Sequence, residues 1–393
     1  MSQSVVIASG VRTAIGTFAG SLSGISPCDL GTAVAQEAIK RAGLAAADVE
    51  QTVLGNVMHS HPEDMYISRV IAIRAGIPES SPALTLNRLC GSGLQAVVSG
   101  AEQIMLGNAD VVLAGGAECM RRAGHLLTQA RHGQKMGDVK ALDMMIVVLS
   151  DPFGNGHMGV TAENIADRKD IDRAAQDAFA LESHKRASTA IAEGRFKEQI
   201  LPITVKQGRK EAVFDTDEHV RADITAEGLE KLRPAFRKEG AVTAGNASGI
   251  NDGAAAVILM SEGAATAKGA TPLARIVAYG LGGVAPEIMG MGPVPATQQA
   301  LSRAGLSVSD LDVIESNEAF AAQACAVSQE LGLPTDKVTP NGGAIALGHP
   351  IGGSGAIILV KLLYELQRTK GRYGLATMCI GGGQGIAVIV ERM

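Results

Sequence analysis

Cys90 lies in ALTLNRLCGSGLQA, where a strand-like run ends in a thiol, glycines follow and an apolar helix begins. A thiol at a helix N-terminus meets the positive end of the dipole and unpaired N–H groups, which draw its pKa toward the reactive thiolate. The plain alternative is a small buried hydrophobe, as most free cysteines are. His349 sits in NGGAIALGHPIGGSGA, just ahead of a second apolar helix. A lone histidine is more often a hydrogen-bonded structural residue, but a Cys–His pair is what thiolate chemistry needs. Cys379 closes the strand GLATMCI and precedes Gly381-Gly382-Gly383-Gln384-Gly385, where backbone N–H groups can approach a ligand as an oxyanion hole requires. Beside the first thiol it could serve as an acid/base or as half of a redox switch, and the acid/base role is the one expected. Asn317 and Glu318, in VIESNEAFAAQA, stand between a strand and a helix, which by itself reads as a helix cap.

The elements that carry these residues repeat. QEAIKRAGLAAADVE, from Gln36, matches QQALSRAGLSVSDLD, from Gln298, at an offset of 262; Gly91-Ser92-Gly93 and Gly353-Ser354-Gly355 open apolar runs at the same offset. One offset across separated blocks indicates two homologous halves, about 1–119 and 273–393, each reading strand, helix, strand, Gly-Ser-Gly, helix, strand. His349 then corresponds to Asn87, three residues before Cys90, so a pseudo-two-fold brings the two together. The runs after Gly93 and Gly355 are apolar on nearly every face, so both helices belong between sheets. Residues 120–250 form an insertion, with a helix over 173–193 and a polar, Gly-punctuated stretch at 121–160, expected to lie as a lid over the site. Residues 251–272 return to the first half.

The chain has 393 residues, enough for two or three domains, with 46% hydrophobic and 19% charged residues, and it is read as a layered α/β protein rather than a disordered one. No apolar stretch approaches a membrane span. With 48 glycines, no Trp and 3% aromatics, packing must rely on small and branched side chains at close backbone approach. Net charge −5 argues against a nucleic-acid partner. Five scattered cysteines without CxxC pairing fit neither a disulfide framework nor a zinc module, and point to a reducing, cytoplasmic setting. His59-Ser60-His61 lacks further ligands, so no metal is expected. Gly91–Ala96 and Gly154–Gly159 formally satisfy a dinucleotide fingerprint, but neither has the right strand, turn and acidic residue around it.

NRLCGSGLQA, GNASGINDGAAA, SNEAFAAQA, GGAIALGHPIGGSGA and MCIGGGQG, spread over most of the chain, together resemble the thiolase family. The resemblance implies duplicated βαβαβαββ halves in a five-layered αβαβα sandwich, with a loop domain inserted in the first half. It implies that Cys90 is acylated by a thioester while His349 accepts its proton, and that Cys379 moves a proton at the α-carbon of a second acyl-CoA. His349 and a water held by Asn317 would bind the enolate oxygen, and the N–H groups of Cys90 and Gly381 the acyl carbonyl oxygen, so Asn317 takes a functional role in place of a cap. Coenzyme A, a substrate rather than a resident cofactor, would lie along the insertion. The matching positions are His157, Met158, Arg221, Leu232, Ala235, Phe236, Ala244 and Ser248, with Met289, Ala319 and Phe320 near the acyl group. Gly228 departs from the serine common in related biosynthetic enzymes.

NVMHSHPEDMYISRV, DPFGNGHMGVTAEN and FDTDEHVR look particularly like bacterial broad-specificity β-ketothiolases that supply polyhydroxyalkanoate synthesis. A homotetramer, condensing acetyl-CoA with acetyl- or propionyl-CoA, is what that likeness implies. The rivals are a degradative long-chain thiolase, a decarboxylating ketosynthase and a silent acyl-CoA-binding protein. The presence of Cys379 disfavours the ketosynthase, and the presence of all three reactive residues disfavours a silent binder.

Overall fold

The computed structural model describes residues 3–393. The first half runs β1 (Val5–Thr13), α1 (Pro27–Arg41), β2 (Gln51–Gly55), α2 (Ile67–Arg74), β3 (Ala83–Leu86), α3 (Ser92–Met105) and β4 (Val111–Cys119). An insertion carrying α4 (Met158–Arg168) and α5 (Arg173–Ala192) follows, and β5 (Asn251–Ser261) returns to the half. The second half runs β6 (Ala274–Gly283), α6 (Pro293–Ala304), β7 (Leu311–Ser316), α7 (Ala321–Leu331), α8 (Ile351–Thr369), β8 (Tyr373–Ile380) and β9 (Gln384–Arg392).

The strands lie in the order β7-β8-β9-β6-β1-β5-β4-β2-β3. Among the described residues the strands of the two halves pair only where β1 and β6 touch, at Val6↔Arg275 and Ile7↔Ala274, so the array is two sheets joined at one seam. The sheets share a plan, in which β2 and β4 are parallel, as are β7 and β8, and β4-β5-β1 and β8-β9-β6 are antiparallel; the first sheet adds β3, parallel to β2. Helix α1 packs on β1, β5 and β4, and α6 packs on β6, β9 and β8. Helices α3 and α8 touch each other and strands of both sheets, which makes them the middle of five layers. That position explains the apolar circumference of α8, while α3 keeps one half-buried polar edge, formed by Gln95, Ser99, Glu102 and Gln103.

The crossing of α3 and α8 rests on glycine. A Cβ on Gly93 would stand 2.7 Å from Ala356 N and 3.1 Å from Gly352 O, while one on Gly355, its equivalent at offset 262, would overlap Leu94 N. The two backbones approach too closely for any side chain at either position. The repeat also shows in the loops: Gly43 and Gly305 both adopt left-handed φ, 71° and 65°, after α1 and α6.

A lone lysine within α8, Lys361, is buried but satisfied by Glu315 at 2.8 Å and the Gly342 carbonyl at 2.7 Å. The insertion is fastened to β1 by the buried Arg12, which donates to both carboxylate oxygens of Asp217 at 2.7 and 2.9 Å and to Gln199 at 2.8 Å. The stretch 121–160 is more ordered than its glycines suggest. It forms the hairpins His125–Leu127/Ala141–Asp143 and Ser150–Asp151/Gly156–His157 around a short helix, Met144–Val148. Among the described residues no helix is long and apolar enough to cross a membrane.

Candidate active site

Cys90 occupies a strained turn between β3 and α3. Leu89, the residue before it, has φ 49°, costly for a branched side chain, and is held there by its N–H donating to Asn87 Oδ1 at 2.9 Å. Ser92 completes the turn, accepting from Arg88 N at 2.8 Å and donating to the Leu89 carbonyl at 2.6 Å. Gly91 is required because a Cβ there would overlap the Ile380 side chain. The thiol thus faces the end of β8 and the Cys379 region.

His349 enters from the other half through Gly348, where a φ of 109° and the 2.5 Å that a Cβ would leave to the Asn251 side chain demand glycine. Its N–H donates to Asn251 Oδ1 at 2.9 Å, and Asn251 Nδ2 in turn donates to the Gly16 carbonyl at 3.0 Å. Its ring is oriented by Ser354, 2.7 Å from Nδ1. The Ser354 hydroxyl has one proton and gives it to the Pro350 carbonyl at 2.9 Å, so its oxygen accepts from Nδ1–H and the lone pair belongs to Nε2. Among the described residues Nε2 has no hydrogen-bond partner. Burial pushes the His349 pKa down to about 4, so the ring is a neutral base at physiological pH.

A cavity of ≈ 50 Å³ is lined by Cys90, His349, Cys379 and Gly381, together with Met158, Ser248, Met289, Ala319 and Phe320. Val148, Leu149, Leu89 and Ile351 complete its apolar wall, so the insertion does overlie a site built by both halves. The dipole argument for a spontaneously ionised Cys90 does not hold here. Burial pushes its pKa up to about 11, outweighing the opposing N–H groups of Gly381 and of Cys90 itself. A thiol so placed reacts only if a base takes its proton during attack. Cys379 is raised further still, by burial and then by the neighbouring Cys90.

Asn317 lies at the C-terminal end of β7, where its N–H donates to the Thr377 carbonyl at 2.9 Å. The cap expected from its local pattern is absent: the N-cap of α7 is Phe320 and makes no side-chain cap bond. Asn317 Nδ2 has no partner among the described residues. Glu318 instead braces the His349 segment, its carboxylate accepting from Ser183 Oγ at 2.6 Å, Thr339 Oγ1 at 3.0 Å and Ile345 N–H at 3.3 Å.

Other expected positions divide into two groups. His157 stacks on Phe236 with ring centroids 4.8 Å apart, and Phe236 meets Phe320 edge-on at 6.1 Å. Gly159 has no side chain because one would overlap the Phe236 ring. This aromatic wall adjoins Met158, Met289, Ala319 and Cys379 in one apolar cluster. Arg221, Leu232, Ala235 and Ala244 lie farther along the insertion and do not line the cavity. Arg221, Ala235 and Ala244 are exposed, and Leu232 packs beside Leu229, Ala321 and Ile345. A larger groove of ≈ 570 Å³ between α5 and α7 contains none of Cys90, His349 and Cys379.

Two family models match the chain: Thiolase, N-terminal domain, over residues 5–263, and Thiolase, C-terminal domain, over residues 270–392. The chain belongs to the thiolase family. It is 59% identical to beta-ketothiolase BktB of Cupriavidus necator over the full length of both chains, and 51% identical to an acetyl-CoA acetyltransferase of Thiocystis violacea, again covering all of each. Among solved structures, Bacillus anthracis acetyl-CoA acetyltransferase superposes with TM-score 0.97 at 47% identity, covering 100% of this chain and 99% of the other. The human mitochondrial 3-ketoacyl-CoA thiolase in complex with CoA gives TM-score 0.97 at 45% identity, covering 100% and 98%.

Reading for reactive groups passed over the residues that hold the Cys90 turn and the His349 segment in place. Asn251 and Ser354 were visible only as members of motifs, and Glu118 as one letter in the strand VVLAGGAEC. A signal existed for Glu118: a carboxylate in a run otherwise apolar must be buried with partners.

Proposed function

We propose that the protein is a β-ketothiolase that reversibly condenses acetyl-CoA with acetyl-CoA or propionyl-CoA, through an acyl group carried on Cys90. The observation that carries the reading is one small cavity lined by Cys90, Cys379, the Nε2 side of a neutral His349 and the glycine turn at Gly381. Cys90 Sγ attacks the thioester carbonyl as His349 Nε2 takes the thiol proton. The developing oxyanion is held by the N–H groups of Cys90 and Gly381, and the CoA thiolate leaves with the thiol proton of Cys379, so that His349 keeps the proton it took from Cys90. Cys379, now a thiolate beside the His349 imidazolium, removes a proton from the α-carbon of the second acyl-CoA and is a thiol again. The resulting enolate oxygen accepts from Nε2–H of His349 and from a water held by Asn317, and its carbon attacks the acyl-Cys90 carbonyl, which frees the Cys90 thiolate to take the His349 proton back. Separate oxyanion sites suit the chemistry, because the two half-reactions place negative charge on different oxygens.

The aromatic wall of His157, Phe236 and Phe320 supports a pantetheine path beside Met158 and Met289, with the rest of CoA running past Ser248 toward Ala244, Ala235, Leu232 and Arg221. The similarity to acetyl-CoA acetyltransferases supports short acyl chains, and the motifs NVMHSHPEDMYISRV, DPFGNGHMGVTAEN and FDTDEHVR support a role in supplying polyhydroxyalkanoate precursors. The segments 1–119 with 251–272, 120–250 and 273–393 act in this reading as nucleophile half, CoA-binding insertion and base half. A cytoplasmic homotetramer, a dimer of dimers, completes the proposal. It is supported by the edge strand β3, paired on one side only, and by exposed apolar residues such as Leu126, Leu127 and Met136.

The test is CoA-dependent thiolysis of acetoacetyl-, 3-ketovaleryl- and longer 3-ketoacyl-CoA esters, with Cys90→Ala as control. Comparable rates at four and five carbons are expected. Activity confined to four carbons would remove the propionyl claim, and no turnover would remove the assignment.

A further inference from the structure

Glu118 is the penultimate residue of β4 and is fully buried. The reaction outlined above gives it no chemical step, yet its carboxylate accepts four hydrogen bonds. Oε1 accepts from Asn56 Nδ2 and Met58 N–H, both at 3.2 Å; Oε2 accepts from Val57 N–H at 3.0 Å and Gly352 N–H at 3.1 Å. Four donors fill the acceptor sites of a carboxylate, and the N–H groups of Val57, Met58 and Gly352 oppose the burial that pushes its pKa up to about 8. The donors come from two places that matter for different reasons.

Gly352 is the second residue of α8, three beyond His349, and its N–H is one of those left free at a helix start. Binding there holds the end of the helix whose Ser354 orients the His349 ring. Asn56, Val57 and Met58 belong to the loop after β2, which is bonded to the turn that carries Cys90. The Val57 carbonyl accepts from Asn87 Nδ2 at 3.3 Å, and Asn87 Oδ1 accepts from the N–H of Leu89, the strained residue before Cys90. Val57 and Met58 also pack in one apolar cluster with Leu89, Cys90 and Ile351. Glu118 therefore touches both supports, and it does so from outside the cavity, whose lining does not include it.

We propose that Glu118 is a positioning residue that holds the Cys90 turn and the His349 helix end in a fixed relation. The inference rests on the assignment of Cys90 and His349 as nucleophile and base. A thiol that ionises only as its proton is taken is sensitive to that relation, since sub-ångström misplacement of a base lowers the rate of transfer without weakening substrate binding. Glutamine cannot substitute, because its NH2 group would face two of the four N–H donors.

The experiment compares wild type, Glu118→Gln and Asn87→Ala, the last cutting only the arm that runs to Leu89. Each is measured for kcat and KM in acetoacetyl-CoA thiolysis and for the rate of Cys90 alkylation by iodoacetamide against pH. Glu118→Gln should lower both kcat and the alkylation rate at neutral pH by roughly 10- to 100-fold with KM little changed. Asn87→Ala should move both in the same direction by less. A purely structural role would lower thermal stability and leave the alkylation profile of the folded protein where it is. Wild-type alkylation and kcat in Glu118→Gln overturn the proposal; if that variant does not fold, the same result in Asn87→Ala overturns it. Persistent covalent acylation of Cys90→Ala would overturn the underlying assignment instead, so the two failures are distinct.

Discussion

The N-termini of α3 and α8 occupy equivalent places in the duplicated halves, pack on each other through Gly93 and Gly355, and have been put to opposite uses. The α3 end presents Cys90 from a turn strained at Leu89, φ 49°; the α8 end presents His349 from a turn that glycine makes possible, Gly348 at φ 109°. The position equivalent to His349 is Asn87, which makes no direct approach to the thiol's chemistry and instead secures Leu89 by a hydrogen bond. Duplication thus delivered two facing helix ends with one backbone plan, and side-chain differences of a few residues give them the roles of nucleophile and base in the proposed reaction. The close glycine crossing is what the halves could not change independently, because each glycine makes room for the other's helix.

The comparison breaks first at its chemical asymmetry. Cys90→Ala should abolish acyl-enzyme formation and reduce thiolysis by roughly four to six orders of magnitude, as loss of a nucleophile does elsewhere, measured by mass spectrometry and steady-state rates. Cys379→Ala should still be acylated by acetyl-CoA but fail to condense. Full turnover by either would mean the two ends are not divided in this way.

The shared packing is tested next. Gly93→Ala and Gly355→Ala should each destabilise the fold by about 1–3 kcal/mol, the usual cost of overpacking, and by similar amounts in chemical denaturation. A large inequality would mean the pseudo-two-fold does not govern the crossing.

His349 sharpens the comparison through pH. Its pKa is about 4 in the folded protein against an ordinary 6.5, so between those values the unfolded chain binds a proton that the folded chain refuses. Stability from this site is full above pH 6.5 and is lost as pH falls toward 4, at up to about 1.4 kcal/mol per unit. Relative to His349→Asn, wild type should therefore lose stability across that window, and parallel denaturation curves from pH 7 to 4 would contradict the burial of a neutral ring.

The smallest expected effect lies at the paired helix ends. Gly43→Ala and Gly305→Ala place a side chain at left-handed φ in open space, and each should cost about 1 kcal/mol. A null effect at one and not the other would show that the two halves hold these turns differently.

How much of this was open to a reader of the sequence depended on whether a residue announced itself. Cys90, His349 and Cys379 are reactive types set among glycines, and the offset of 262 linked two of them before any coordinates. The middle-layer position of α8 followed from its lack of a polar face, whereas α3 carries a half-buried polar edge at Gln95, Ser99, Glu102 and Gln103. Asn317 was harder, because a polar residue between strand and helix looks like a cap, and only the backbone shows that Phe320 holds that place.

The sequence by itself determined the duplication, the layered class and the identities of the reactive groups, because periodicity and residue type are properties of the chain alone. Tertiary structure decided their electrical state and their alignment. Desolvation raises Cys90 against the pull of its helix end, a balance that depends on everything packed around the sulfur. The alignment of His349 depends on Asn251, Ser354 and Glu118, whose donors and acceptors meet only when strands and helices distant in sequence come together.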